Sequence, residues 1–379
     1  MRQIKNLVNI GTGDIIGNII SAGFWIYLAI LINPESYGEL HYLISIVGIV
    51  SYLTFFGSQH TITVYLAKKM EIQSTFNFIS LIAGIFGFLV LFLIFNRLDM
   101  GFLVLGYTMS NLVIGELLGK KEFDGYLKYI LIQKSLTPIL GIGFFLIFGM
   151  EGLIYGLALS YIGFFFRIIK NFKNIKIDFS LLSNKKGFII NNYFTALSGT
   201  FHGQIDKIIV MPIIGASVLG NYSLSLQIIT IMTIGTSVLF KYILPQEASG
   251  NDVKKIKKLL VFSSIIMTFI GFFIVPIILP TIFPKYLDAV DAIRIMSLGL
   301  IPMSIVKIYT SKFLALEKSR FILIGLVISL SVLIPTMILF GTWYGIMGVA
   351  TSFVLATIIQ SVYFFIISKK LDKKEYNEK

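Results

Sequence analysis

Thr195, Ser198, His202 and Asp206 follow one another at spacings of three, four and four residues, which lays them along one face of a helix. Gly199 and Gly203 stand beside them. Hydroxyls, an imidazole and a carboxylate in this order can wall a polar cavity. They can equally form a hydrogen-bonded seam where small residues let two helices approach. Lys207 follows Asp206 directly and is turned about 100° around the helix. It can meet an anionic group, or a carboxylate on a neighbouring helix. Gly11, Asp14, Asn18 and Ser21 share a face by the same arithmetic. Asp14 lies nine residues beyond Lys5, about 13 Å along a helix, too deep for a short side chain to escape an apolar layer. It can line a cavity, hold a proton or sodium ion, or pair with a buried lysine. Lys134, four residues before Pro138, and Lys307, five after Pro302, can face inward as cations or snorkel to the surface. His60, within Gly57-Ser58-Gln59-His60-Thr61, titrates near neutrality if it faces water and is otherwise a structural donor.

Other chemistry is excluded. The 379 residues include no cysteine, which removes disulfides, thiol nucleophiles and thiolate metal sites. His41, His60 and His202 are the three histidines and lie far apart, so a His-rich metal centre is not expected; no catalytic residue, metal ligand or cofactor is assigned. Asp288 and Asp291 read as a solvated acidic pair. Hydrophobic residues make up 56% of the chain and charged residues 13%, against about 25% charged in soluble domains. Such a chain cannot cover itself with a polar surface. The net charge of +13 therefore belongs to the loops of a membrane protein and not to a nucleic-acid surface.

The elements that must position these residues are long apolar runs, each of about 18 residues or more and so able to cross a bilayer. Twelve are expected, at about 7–32, 41–67, 76–96, 100–119, 128–148, 151–169, 188–214, 218–244, 259–281, 292–314, 320–340 and 345–368. The first run holds Asp14 and continues to Ile32, too long for a signal peptide, and is read as an uncleaved span. With the N-terminus placed in the cytoplasm, 26 of the 32 Lys and Arg residues fall in cytoplasmic segments. Only Arg97, Lys285 and Arg294 are external, and Lys134, Lys207 and Lys307 lie within spans. This asymmetry places both termini inside. Pro138, Pro276, Pro302 and Pro335 fall within spans and can act as hinges.

The longest loop, 170–187, divides the chain into halves that repeat. Asn33-Pro34-Glu35-Ser36-Tyr37-Gly38 links spans 1 and 2, and Gly215-Ala216-Ser217-Val218-Leu219-Gly220 links spans 7 and 8. Gly149-Met150-Glu151-Gly152 opens span 6 and Gly345-Ile346-Met347-Gly348 opens span 12. The expected architecture is all-α, with a six-helix lobe at 1–178 and a second at 179–379 ending in a short basic tail. Each half holds an even number of spans, so the lobes form a parallel repeat, with substrate handled between the halves.

The order and spacing of these motifs resemble those of the polysaccharide-exporter, O-antigen-flippase-like branch of the multidrug/oligosaccharidyl-lipid/polysaccharide flippase superfamily. Further residues that carry the likeness are Asp206, Gly220-Asn221-Tyr222, Ile243-Leu244-Pro245, Phe283-Pro284-Lys285-Tyr286, Ala315-Leu316-Glu317-Lys318 and Gly348-Val349-Ala350. The resemblance implies a non-enzymatic transporter of the cytoplasmic membrane that moves a lipid-linked oligosaccharide or polysaccharide precursor by alternating access. It implies membrane lipids and the lipid-linked saccharide as ligands, and glycosyltransferases of the same pathway as candidate partners. A coupling ion, H+ or Na+, is left open. The rival readings are a cation-coupled drug or metabolite antiporter of the same superfamily and, from another class, a membrane-embedded glycosyltransferase or polymerase. A phosphate-bearing head cannot cross hydrocarbon unaided, which favours a polar, cationic interior. The candidate lining residues are Asp14, Asn18, His60, Lys134, Thr195, Ser198, His202, Asp206, Lys207 and Lys307.

Overall fold

A computed structural model describes residues 2–55, 58–70, 73–171, 177–179, 186–249 and 251–377. The described residues form helices joined by short turns, with no strand among them. Most of the 170–187 loop lies outside the described residues.

Span 1 is Arg2–Leu31. Span 2 is built from Pro34–Thr54 and Ser58–Ala67. The Asn33 side chain accepts the Ser36 backbone N–H at 2.8 Å, and Pro34 occupies the first helical position, where its missing N–H is not needed. Spans 3 and 4 are Gln73–Phe95 and Leu98–Gly119. A single helical run, Phe123–Leu159, holds span 5 and the start of span 6, which ends in Ile162–Asn171. Gly149, at φ +68°, breaks that run into two. The second half repeats the plan. Span 7 is Lys186–Ile214, span 8 is Ala216–Met232 with Ile234–Ala248, and span 9 runs from Lys254 to Ile282 through a π-bulge at Ile270–Ile274. Span 10 is Ala289–Ser297 with Leu300–Ala315. Spans 11 and 12 share Arg320–Asn377, broken at Gly345 with φ +57°.

By length and composition, six helices can cross a membrane, or eight with two bent pairs counted as single spans. Two of those six are the runs that Gly149 and Gly345 divide. Lys186–Ile214, Pro34–Thr54 and Ser58–Ala67, which stand where spans 7 and 2 are expected, are not among those helices.

The chain divides into two compact units: 1–28 with 43–204, and 29–42 with 205–379. In the first, span 4 is central, with Leu103, Val104, Leu112, Val113 and Leu117 almost fully covered. Its core joins Phe55, Ile62 and Tyr65 to Leu112, Leu117, Tyr126, Phe164 and Ile168. At the basic end, Glu116 accepts from Lys120 at 2.9 Å and Arg167 at 3.1 Å, and Arg167 also reaches Glu122 at 2.7 Å. In the second unit, Val210, Leu219, Tyr222, Met296, Leu333, Met337 and Val349 form the core. Large apolar side chains cover the outside, with Leu93 79% and Ile277 75% exposed. Such surfaces suit lipid and not water.

Candidate functional site

Within the first unit, the candidates gather where span 1 meets span 5. Gly13 packs on Leu127 and Tyr126, and Gly17 packs on Ile130 and the aliphatic stem of Lys134. Glycines four residues apart let the backbones close. That approach brings the Tyr126 hydroxyl onto Asp14 Oδ1 at 2.6 Å. Asn18, one turn on, is exposed. Lys134 has no hydrogen-bond or ion-pair partner among the described residues, although its side chain is largely covered. Ser198 donates to the Phe194 carbonyl of its own helix at 2.7 Å, and His202 is half-buried. The His60 and Thr195 side chains lie outside the described residues.

In the second unit two polar centres stand apart. At the first, Asp206 is buried and engaged at both oxygens. Tyr222 donates to Oδ2 at 3.0 Å, while the Lys207 backbone N–H and Nζ reach Oδ1 at 2.8 and 3.2 Å. Asp206 and Lys207 are thus a charge couple with a tyrosine lock, and the boundary between the two units falls between them and Ser198 and His202. The single helix face read from the sequence is thereby shared between the units.

At the second centre, Lys307 Nζ donates to Thr236 Oγ1 and Ser237 Oγ, both at 2.9 Å. No carboxylate meets it among the described residues. Its two acceptors lie just past a 49° bend between Met232 and Ile234. Thr233, Thr236 and Ser237 there turn their hydroxyls onto carbonyls of their own helix, a pattern that bends membrane helices without proline. Span 10, carrying Pro302, bends by 44°.

The turns that follow spans 1 and 9, both in the second unit, form a third constellation. Tyr286 donates to the Ile32 carbonyl and Lys285 to that of Leu31, both at 3.2 Å. The Tyr37 ring meets Tyr286 edge-on at 6.0 Å. Burial pushes the Tyr286 phenol up from its ordinary value, so it stays a donor. Lys285 thus covers the unsatisfied carbonyls that end span 1.

Sequence reasoning missed Tyr126, Tyr222, Thr236 and Ser237, the partners of three of its candidates. The Thr230, Thr233, Thr236 and Ser237 series at near-threefold spacing was the available signal for two of them. Among the described residues, no group of three His, Asp or Glu is placed to hold a metal ion.

Solved structures place this architecture. The lipid II flippase MurJ, in an inward closed conformation, is 16% identical, with 95% of this chain and 87% of that one aligned at a TM-score of 0.76. An inward-facing multidrug resistance MATE family transporter of the MOP superfamily is 14% identical, with 96% and 97% aligned at 0.71. The chain has the fold of this flippase and this transporter. A MATE transporter in complex with MaL6 aligns over 97% and 95% of the two chains at 0.65 and 13% identity. A family described as polysaccharide biosynthesis protein matches residues 4–115, while comparison with curated proteins finds no match. That shared fold has twelve membrane helices in two lobes; six to eight helices of spanning length and composition stand among the described residues here. Within it, Asp14 and Lys134 sit on the first and fifth helices, Asp206 and Lys207 on the seventh and Lys307 on the tenth.

Proposed function

We propose that the chain is a flippase that carries a lipid-linked oligosaccharide or polysaccharide precursor across the cytoplasmic membrane by alternating access of six-helix lobes at 1–178 and 179–379. One observation carries the reading: Lys134 and Lys307 are cations within spans with no carboxylate partner among the described residues. A cation at the centre of a membrane helix costs about 2.5–3.5 kcal/mol on insertion scales. Its retention is explained by an anionic cargo such as a sugar phosphate. The match of residues 4–115 to a polysaccharide biosynthesis family supports the same class of cargo. The reading makes the chain a transporter and not an enzyme, puts both termini in the cytoplasm and makes glycosyltransferases of the same pathway its neighbours in function.

A second reading is a cation-coupled drug or metabolite antiporter. The hydrogen bond from Tyr126 to Asp14 favours it, because a span carboxylate with a phenol donor is a place to exchange H+ or Na+. Vesicle reconstitution separates the two. The flippase reading expects a fluorescent lipid-linked glycan to become accessible on the far leaflet only when the protein is present. An ion-driven efflux of small cations, with no glycan movement, would decide for the antiporter.

A further inference from the structure

Span 9 opens with Lys254, Lys255, Lys257 and Lys258, and its first turn holds no acidic residue. Cations there oppose the helix dipole, so the cluster stabilises nothing within its own helix. Lys257 is tied to Glu247, whose other oxygen accepts the Ser311 hydroxyl at 2.8 Å. Asp252 is committed to the Lys254 backbone N–H at 2.9 Å. Lys254, Lys255 and Lys258 are exposed, and their side chains have no partner among the described residues. Positions 254, 258, 262 and 265 share one helix face. Below the lysines that face turns apolar and outward, with Phe262 60% and Ile265 48% exposed.

Between this face and span 10 runs a groove of about 380 Å³ lined by Lys257, Lys258, Val261, Phe262, Ile265 and Ile308. Its wall is hydrocarbon and its basic end is lysine. Phe262 follows Lys258 by about 6 Å along the helix, so a phosphate over the lysines leaves a lipid chain to start at Phe262. Basic pockets at the ends of membrane helices bind anionic headgroups in this way. We propose that the groove binds one anionic glycerophospholipid of the leaflet that faces the basic loops, its phosphate on Lys254 and Lys258 and an acyl chain against Phe262, Ile265 and Ile308. The site depends on the membrane fold alone and not on what the protein transports.

The test uses full-length protein in vesicles, with Phe262→Trp as a reporter in a chain whose two tryptophans, Trp25 and Trp343, are replaced by Phe. Brominated phosphatidylglycerol is expected to quench the reporter at lower mole fraction than brominated phosphatidylcholine. That preference should fall about fivefold for each of Lys254→Gln and Lys258→Gln and shrink as salt rises. Lys285→Gln should leave it intact. Unchanged quenching by phosphatidylcholine in the variants shows that the reporter still faces lipid. Equal quenching by the two lipids, or a preference that survives both Gln changes, overturns the site. So does displacement of phosphatidylglycerol by a polyprenyl phosphate at equal or lower mole fraction, which would give the groove to the transported lipid.

Discussion

Gly38 and Gly220 pack reciprocally where spans 2 and 8 begin. A β-carbon on Gly38 would stand 2.0 Å from the Ala216 carbonyl oxygen, and one on Gly220 would stand 1.8 Å from that of Pro34. Each glycine lies four residues into its helix, against the first residue of the other, so the repeat seen in the sequence is a physical contact. The obstructing atoms are backbone and cannot rotate away. Gly38→Ala and Gly220→Ala are each expected to cost at least the ~1–3 kcal/mol of overpacking. The pair should cost less than the sum of the two, because they disturb one crossing. Thermal stability in detergent, followed by size-exclusion fluorescence, checks this, and near-neutral single variants would refute the contact.

The hairpins between spans 5 and 6 and between spans 11 and 12 turn on Gly149 and Gly345, with φ +68°, ψ −150° and φ +57°, ψ −133°. Side chains rarely adopt such backbones, at a cost of about 1–3 kcal/mol. Gly149 and Gly345 have open space around them, whereas a β-carbon on Gly348 would meet the Phe340 carbonyl oxygen at 1.9 Å. Gly348→Ala is therefore expected to lower the melting temperature more than Gly345→Ala. The reverse order would show that strain and not crowding limits the hairpin.

Much of this architecture was legible from composition and charge. Apolar runs mark spans wherever lipid is the solvent, and motif pairs such as Gly152 and Gly348 marked the repeat. The polar centres were harder to read. Asp206 was legible as costly, yet its partner Tyr222 sits sixteen residues away on the next helix, and no periodicity joins two helices. Lys307 was read beside Pro302, while its acceptors are hydroxyls about seventy residues earlier, at a bend made without proline. The face through Thr195, Ser198, His202 and Asp206 was correct helix arithmetic, but arithmetic along one helix does not reveal that contacts divide it.

The basic loops set an expected topology, with both termini in the cytoplasm. In this cysteine-free chain, Ser217→Cys in the turn between spans 7 and 8 should react with an impermeant maleimide in intact cells. Asn251→Cys in the loop before span 9 should react only after permeabilisation. Both positions are exposed, so labelling of Asn251→Cys alone in intact cells would invert the map.

The span lysines should divide into two classes. Lys207 is neutralised by Asp206 at 3.2 Å, with both side chains mostly covered. Lys207→Gln leaves a buried carboxylate without its cation, a loss of about 3–5 kcal/mol, and should lower expression and thermal stability. Adding Asp206→Asn removes the orphaned charge and should restore both. Among the described residues Lys307 has only hydroxyl partners and Lys134 has none, so Gln at either position removes an uncompensated cation and should leave stability unchanged or raised. If these two hold an anionic head, each Gln variant should slow glycan flipping by about tenfold or more, the worth of a charge-assisted hydrogen bond. Lys307→Arg should keep much of the rate. Stable Gln variants at 134 and 307 that flip at the wild-type rate would show that neither charge meets the cargo, and the antiporter centred on Asp14 would become the better account of this fold.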